Sequence, residues 1–211
     1  QAMSPAIRSD KDTEAKVENT LSKMTLDEKI GQMTELSIDV LGEWKDGEFV
    51  LDKDKLYNAI AKYKVGSILN APGPVAQTPE KWQELIEIIQ KLSMKEIGIP
   101  CIYGLDQTHG TTYTLGGTLF PQNINLGASF NPQLAYDAAT VTAYETRAAN
   151  CPWTYSPTVD MARDPRWSRV WENFGEDCLV NAIMGSEAVR GFQGDDPNHI
   201  PSDRIATSVK T

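Results

Sequence analysis

Short apolar runs that each break off at one polar residue, with helical patterns between them, constrain this chain more than any other feature. Residues 99–105 are apolar at nearly every position and stop at Asp106, the pattern of a strand covered on both faces. Residues 65–69 form a similar run that ends at Asn70 and a Pro/Gly loop. From Trp153 onward, Tyr155, Pro157 and Val159 alternate with Thr154, Ser156 and Thr158 until Asp160. Residues 36–41 and 204–210 read as two more strands, the second ending at Lys210. Residues 42–47 read as a turn, although its Trp44 is bulky for a linker.

Helices fill the intervals. Val17, Leu21 and Met24 recur at helical spacing. Thr25 and Glu28 form a capping-box pair for a helix whose apolar face is Leu26, Ile30 and Met33. A helix over 51–64 has Leu56, Ile60 and Tyr63 on one face. Thr78 then caps a helix that starts at Pro79 and turns Trp82, Leu85, Ile89 and Leu92 inward until Gly98 stops it. Residues 131–149 and 175–192 continue the series, the last with Leu179, Ile183, Met184 and Val189 apolar. Alternation of this kind predicts a parallel sheet with helical cover. Polar residues gather directly after strands, at Asn70, Asp106, Asp160 and Lys210, where a (β/α)8 barrel characteristically places its site. About five strands fall short of eight, and a full barrel usually takes about 250 residues against 211 here. A doubly wound sheet and a truncated barrel both fit. Residues 1–13 read as a polar arm and residues 14–211 as the folded unit.

A net charge of −9 argues against a nucleic-acid partner, which needs clustered Lys and Arg. No apolar run approaches the roughly 18 residues of a membrane span. The three cysteines show neither disulfide-framework nor zinc-ligand spacing. One loop stands apart from this ordinary background. Between residues 163 and 177, Arg163, Asp164, Arg166, Arg169, Glu172, Glu176 and Asp177 are interleaved with Trp167, Trp171 and Phe174. Guanidinium forks held by carboxylates, next to flat rings, suit a ligand with apolar faces and polar edges, such as a sugar. The same residues also suit a purely structural network that ties the loop down.

Several segments resemble family 3 glycoside hydrolases of the β-glucosidase type. The segment YGLDQTHG at 103–110 looks like that family's strand-end motif, and TLFPQ at 118–122 with LGASFN at 126–131 resembles the family's next segment. Glu145-Thr146-Arg147-Ala148 matches the helix after it, and RDPRWSR at 163–169 matches the RDPRWGR loop, with Ser168 where Gly is usual. MTLDEKIGQM at 24–33 resembles the family's opening, and the likeness runs from about residue 14 to 211. The resemblance implies the N-terminal part of a (β/α)8 TIM-barrel-like domain, an incomplete barrel, with the rest of the barrel and an α/β sandwich domain to come after it. It implies an exo-acting, retaining enzyme that removes terminal β-linked glucose from β-glucosides or oligosaccharides without a cofactor or metal, in the periplasm or secreted. By the same resemblance Asp106 would accept hydrogen bonds from hydroxyls of the terminal sugar, and Arg169 and Lys210 would donate to them. The family's nucleophilic aspartate and its acid/base come from later segments, so no catalytic residue is expected here. The family also has Lys-His where this chain has Lys210-Thr211.

Alternatives stay open at this point. Asp106 and Asp160 both end strands and could be paired as catalytic carboxylates. Asp106 with His109 could be taken for metal ligands, although His109 and His199 are the only histidines and have no partner at ligand spacing. A non-catalytic carbohydrate-binding fragment and a β-xylosidase-like member of the family are two further readings. Asp106 in its Gly-Leu-Asp setting leans towards glucosides over xylosides by family analogy.

Overall fold

The structure, a computed structural model, describes residues 10–73 and 75–210. Thr211 and the first nine residues of the arm lie outside the described residues. Five strands form one parallel sheet in the order β1 (Glu35–Ser37), β4 (Ser67–Leu69), β5 (Ile102–Leu105), β6 (Trp153–Thr154), β7 (Ala206–Thr207). The remaining pair, β2 (Gly42–Lys45) and β3 (Glu48–Leu51), is an antiparallel hairpin. The parallel strands form an open sheet and do not close into a ring.

Among the described residues seven α-helices accompany them: α1 (Lys11–Lys23), α2 (Leu26–Gln32), α3 (Lys53–Tyr57), α4 (Pro79–Glu96), α5 (Asn123–Ala128), α6 (Pro132–Ala148) and α7 (Cys178–Gln193). Their starts are chemically marked. Thr25 and Glu28 complete the expected capping box, Thr78 accepts from Lys81 N–H ahead of Pro79, and Asp177 accepts from the N–H groups of Leu179 and Val180. Helix α1 begins at Lys11, capped by Asp10.

Several expectations need correcting, and the strand foreseen over 204–210 is reduced to Ala206–Thr207 with a bridge at Lys210. The strand foreseen over 36–41 stops at Ser37 and gives way to a 3-10 turn, Ile38–Leu41, because Ser37 caps that turn through Asp39 N–H. The turn foreseen at 42–47 is half of the β2–β3 hairpin, reversed at Asp46-Gly47 with φ of 50° and 85°. Positive φ at both central residues is the turn geometry that matches strand twist.

The sheet's two faces differ. Tyr103 and Leu105 point under the helices and are fully buried, and Tyr103 meets Trp82 of α4 edge-on at 5.8 Å. Ile102, one step along, is 52% exposed. Strand β5 was expected to be covered on both faces, but with the ring open its inner face looks outward. The core accordingly falls into two parts. One lies between the sheet and α4, around Trp82, Leu85, Ile89 and Ile68. The other joins α6 and α7 through Ala135, Ala139, Ala143, Met184 and Ala188, with Phe174 and Ile205. None of the described helices is long and apolar enough to cross a membrane.

Candidate substrate site

Alternation along β5 puts Gly104 and Asp106 on the open face that carries Ile102. The turn after Asp106 is held from β6. Thr154 Oγ1 donates to Leu105 O at 2.8 Å and accepts from Gln107 N–H at 3.2 Å, while Ser156 Oγ donates to Gln107 O at 3.0 Å. These bonds leave the Asp106 side chain as the group that projects from the strand end.

Lys210 is brought to it from the far side of the sheet. A parallel bridge between Thr158 and Lys210 extends the β6–β7 pairing, with Lys210 N–H on Pro157 O at 3.2 Å and Val159 N–H on Lys210 O at 3.3 Å. Lys210 Nζ then donates to Asp106 Oδ1 at 2.6 Å, both side chains being about a third exposed or less (31% and 26%). That distance marks a charge-assisted bond that each partner orients.

Arg169 opens a short 3-10 turn, Val170–Glu172. Its fork grips Glu172, with Nε at 2.9 and 3.0 Å from the two carboxylate oxygens and Nη2 at 2.5 Å. The hydrogen bonds that Arg169 donates to Glu172 raise its pKa above its ordinary value, and the charges of Glu172, Asp160 and Asp106 add to the effect. Glu172 is fixed in turn by its own carbonyl, which accepts from Asn123 Nδ2 of α5 at 2.9 Å.

Of the expected trio, Asp106 and Lys210 are in direct contact at one end of the sheet, while Arg169 is paired with Glu172. Asp160 has its Oδ2 enclosed without a donor among the described residues. His109 Nδ1 meets Phe120 O at 2.8 Å, and a carbonyl only accepts, so that nitrogen carries the proton. Among the described residues no three His, Cys, Asp or Glu side chains gather into a metal-binding set. In the charged loop, Arg166 pairs with Asp164 (Nη2–Oδ2 2.6 Å) on the surface, which fits loop scaffolding, and Arg163 donates to Met161 Sδ at 3.6 Å. Phe174, counted among the flat rings of that loop, is 3% exposed and belongs to the second core. Trp171 is 46% exposed. Burial pushes the thiols of Cys101 and Cys151 up to about 12, so neither is a nucleophile near neutral pH.

Tyr155 and Trp153, read from the sequence only as strand residues, and Glu35, not singled out at all, meet on the open face. Tyr155 Oη donates to Glu35 Oε1 at 2.5 Å across the open face, between residues 120 positions apart. Its ring lies 4.5 Å from that of Trp153, whose Nε1 donates to Ser208 Oγ at 2.9 Å. Burial, then the bond to Glu35, raise the Tyr155 pKa well above its ordinary value, so the phenol stays protonated and keeps donating. Gly104 leaves room for this ring, since a Cβ there would stand 2.6 Å from Tyr155 Oη. The ends of the parallel strands therefore hold a carboxylate paired to an ammonium, a guanidinium paired to a carboxylate, and an aromatic floor. Such groups locate hydroxyls and carry an apolar ring face.

Known proteins share both the sequence and the shape. The family model described as the glycosyl hydrolase family 3 N terminal domain matches residues 25–211. The chain is similar to a lysosomal beta glucosidase of Dictyostelium discoideum (40% identity, 88% of this chain, 24% of that protein). It is likewise similar to a periplasmic beta-glucosidase of Salmonella typhimurium (34% identity, 93% of this chain, 23% of that protein). Among solved structures, an exo-1,3/1,4-beta-glucanase from a Pseudoalteromonas species superposes with a TM-score of 0.82 at 31% identity, covering 97% of this chain and 25% of that one. The chain spans about a quarter of the length of these relatives. The match over residues 25–211, with the likeness in sequence and shape, shows that this chain belongs to glycosyl hydrolase family 3, in the region of its N-terminal domain.

Proposed function

We propose that this chain is the sugar-positioning part of an exo-acting, retaining β-glucosidase that takes terminal β-linked glucose from β-glucosides and oligosaccharides. The observation that carries the reading is the meeting of Asp106 with Lys210 at 2.6 Å, beside the Arg169–Glu172 fork, at the ends of the parallel strands. Asp106 accepts from hydroxyls of the terminal ring, while Lys210 and Arg169 donate to their neighbours. Three charged groups on strand ends and a short turn hold the ring without rearranging, and such positioning serves catalysis. A retaining mechanism further needs two carboxyl groups about 5–5.5 Å apart, one nucleophile and one acid/base. Both come from segments beyond these 211 residues, which complete the barrel and add a sandwich domain. The enzyme works in the periplasm or outside the cell, in keeping with the name of the Salmonella relative.

Hydrolysis of a chromogenic β-glucoside tests this, using the 211-residue chain and the full-length protein side by side. Activity in the full-length protein alone, lost in Asp106→Ala or Arg169→Ala, is the expected result. Hydrolysis by the 211-residue chain itself would overturn it and make Asp160 the first residue to substitute.

A further inference from the structure

The hairpin takes no part in the site described above, yet it presents an indole. Trp44 is 43% exposed on β2. It is nonetheless fixed. Its cross-strand partner Phe49, 1% exposed, meets it edge-on at 5.9 Å. On another side the ring lies along Gly73, where a Cβ would come within 3.4 Å of Cζ2. Gly73 is itself pinned, its N–H donating to Asp39 Oδ1 at 2.7 Å.

Beside the indole opens a groove of about 450 Å³, whose lining includes Trp44, Val75, Gln77, Lys81, Glu84 and Leu115. That volume is in the range of small-ligand sites. Trp44, Val75 and Leu115 give it an apolar wall of half-exposed side chains. Lys81 and Glu84, paired at 3.1 Å, give it a charged edge. The three segments that build it leave the C-terminal ends of β1, β4 and β5, so the groove opens on the same rim as Asp106. The loop after β5 joins the two places. Gln77 N–H donates to Tyr113 O at 3.1 Å and Leu115 N–H donates to Gln77 O at 2.8 Å. The Tyr113 hydroxyl, on that same loop, feels the charges of Asp106 and Glu172.

We infer that this groove is a second subsite, which holds the remote glucose units of a β-linked gluco-oligosaccharide while its terminal ring sits at Asp106. The inference rests on the function proposed above. A flat indole takes the apolar face of a pyranose, and a Lys–Glu edge both donates to and accepts from its hydroxyls. Glu48, Glu80 and Glu84 around the groove favour a neutral polyol over any anionic ligand.

The test compares laminaripentaose with p-nitrophenyl β-glucoside, both hydrolysed by the full-length protein. Trp44→Ala raises KM for the pentasaccharide about 5-fold and leaves both constants for the monoglucoside unchanged, the size expected for one lost ring contact. Trp44→Phe keeps a flat ring and restores most of the affinity. Lys81→Ala shifts KM in the same direction without touching the packing of Trp44. If neither Trp44→Ala nor Lys81→Ala separates the two substrates, the inference is overturned. Failure of the wild-type protein to hydrolyse either substrate sinks the assignment of the Asp106 site instead. In that case titration calorimetry with laminaripentaose still decides the groove, and equal binding by wild type and Trp44→Ala overturns it.

Discussion

Asp106 and Arg169 each carry a partner, Lys210 and Glu172, and on the function proposed above the partner sets what each can do for a sugar. Lys210 holds one Asp106 oxygen at 2.6 Å and leaves the other for a hydroxyl. Asp106→Asn keeps the shape but loses the charge-assisted bond, so kcat/KM in the full-length enzyme falls ~30-fold or more, corresponding to about 2 kcal/mol. Glu172 acts through Arg169. Glu172→Gln removes the two-pronged grip, lets the guanidinium wander, and raises KM ~10-fold with a smaller change in kcat, a split that steady-state kinetics on a β-glucoside measures. At this scale the sequence was informative where the signal is local. A carboxylate that ends an apolar run and an arginine three positions before a glutamate can both be seen in one dimension. The Tyr155–Glu35 bond cannot, because nothing local relates residues 120 apart until the sheet places β1 and β6 on one open face.

Among the elements, helix α2 leaves exposed the face its pattern suggests is buried, and α7 does so with two of its four expected apolar residues. Leu26, Ile30 and Met33 of α2 are 72%, 50% and 83% exposed, and Leu179 and Ile183 of α7 are 64% and 44% exposed. Helix α2 buries Gly31 instead, while α7 buries the expected Met184 together with Gly185, Ala188, Gly191 and Phe192. A Cβ on Gly31 would meet Tyr63 O at 2.0 Å, and one on Gly191 of α7 would meet Tyr136 O of α6 at 2.3 Å. Periodicity weighs bulky residues, so a seam of Gly and Ala escapes it, whereas the caps of α2, α4 and α7 were legible because each is a short sequence signal. Gly191→Ala in the full-length protein therefore lowers stability by ~1–3 kcal/mol in chemical denaturation. Helix α6 also anchors the loop after β5. Glu145 accepts from Thr118 N–H and Thr118 Oγ1, each at 2.7 Å. Burial alone would raise the Glu145 pKa, but these two bonds outweigh it and hold the pKa below its usual 4.5. A depressed carboxylate stabilises the fold above its unfolded pKa, and the contribution drains away as pH falls through the folded value. Melting temperature should consequently drop more steeply below pH 4.5 for the wild type than for Glu145→Gln.

Taken whole, the molecule has two unfinished sides. Beside β1, Ile30, Leu36 and Tyr63 line a groove of about 780 Å³, and beside β7, Val159, Val189 and Val209 line one of about 570 Å³. Together with Ile102 on the open inner face, these leave more apolar surface exposed than a lone domain tolerates, next to strand edges able to pair with other chains. The 211-residue chain by itself is expected to associate, and light scattering with thermal unfolding reads this directly: a monomer that melts cooperatively would contradict it. The Asp106–Lys210 contact bears on the timing of synthesis as well. Its two halves are 104 residues apart, so at about 5–20 residues per second the ribosome releases the carboxylate some ~5–20 s before its ammonium partner exists. Throughout that interval Asp106 is without the ion pair that orients it, and the strand end takes its final form only once Lys210 has followed β7 out of the ribosome.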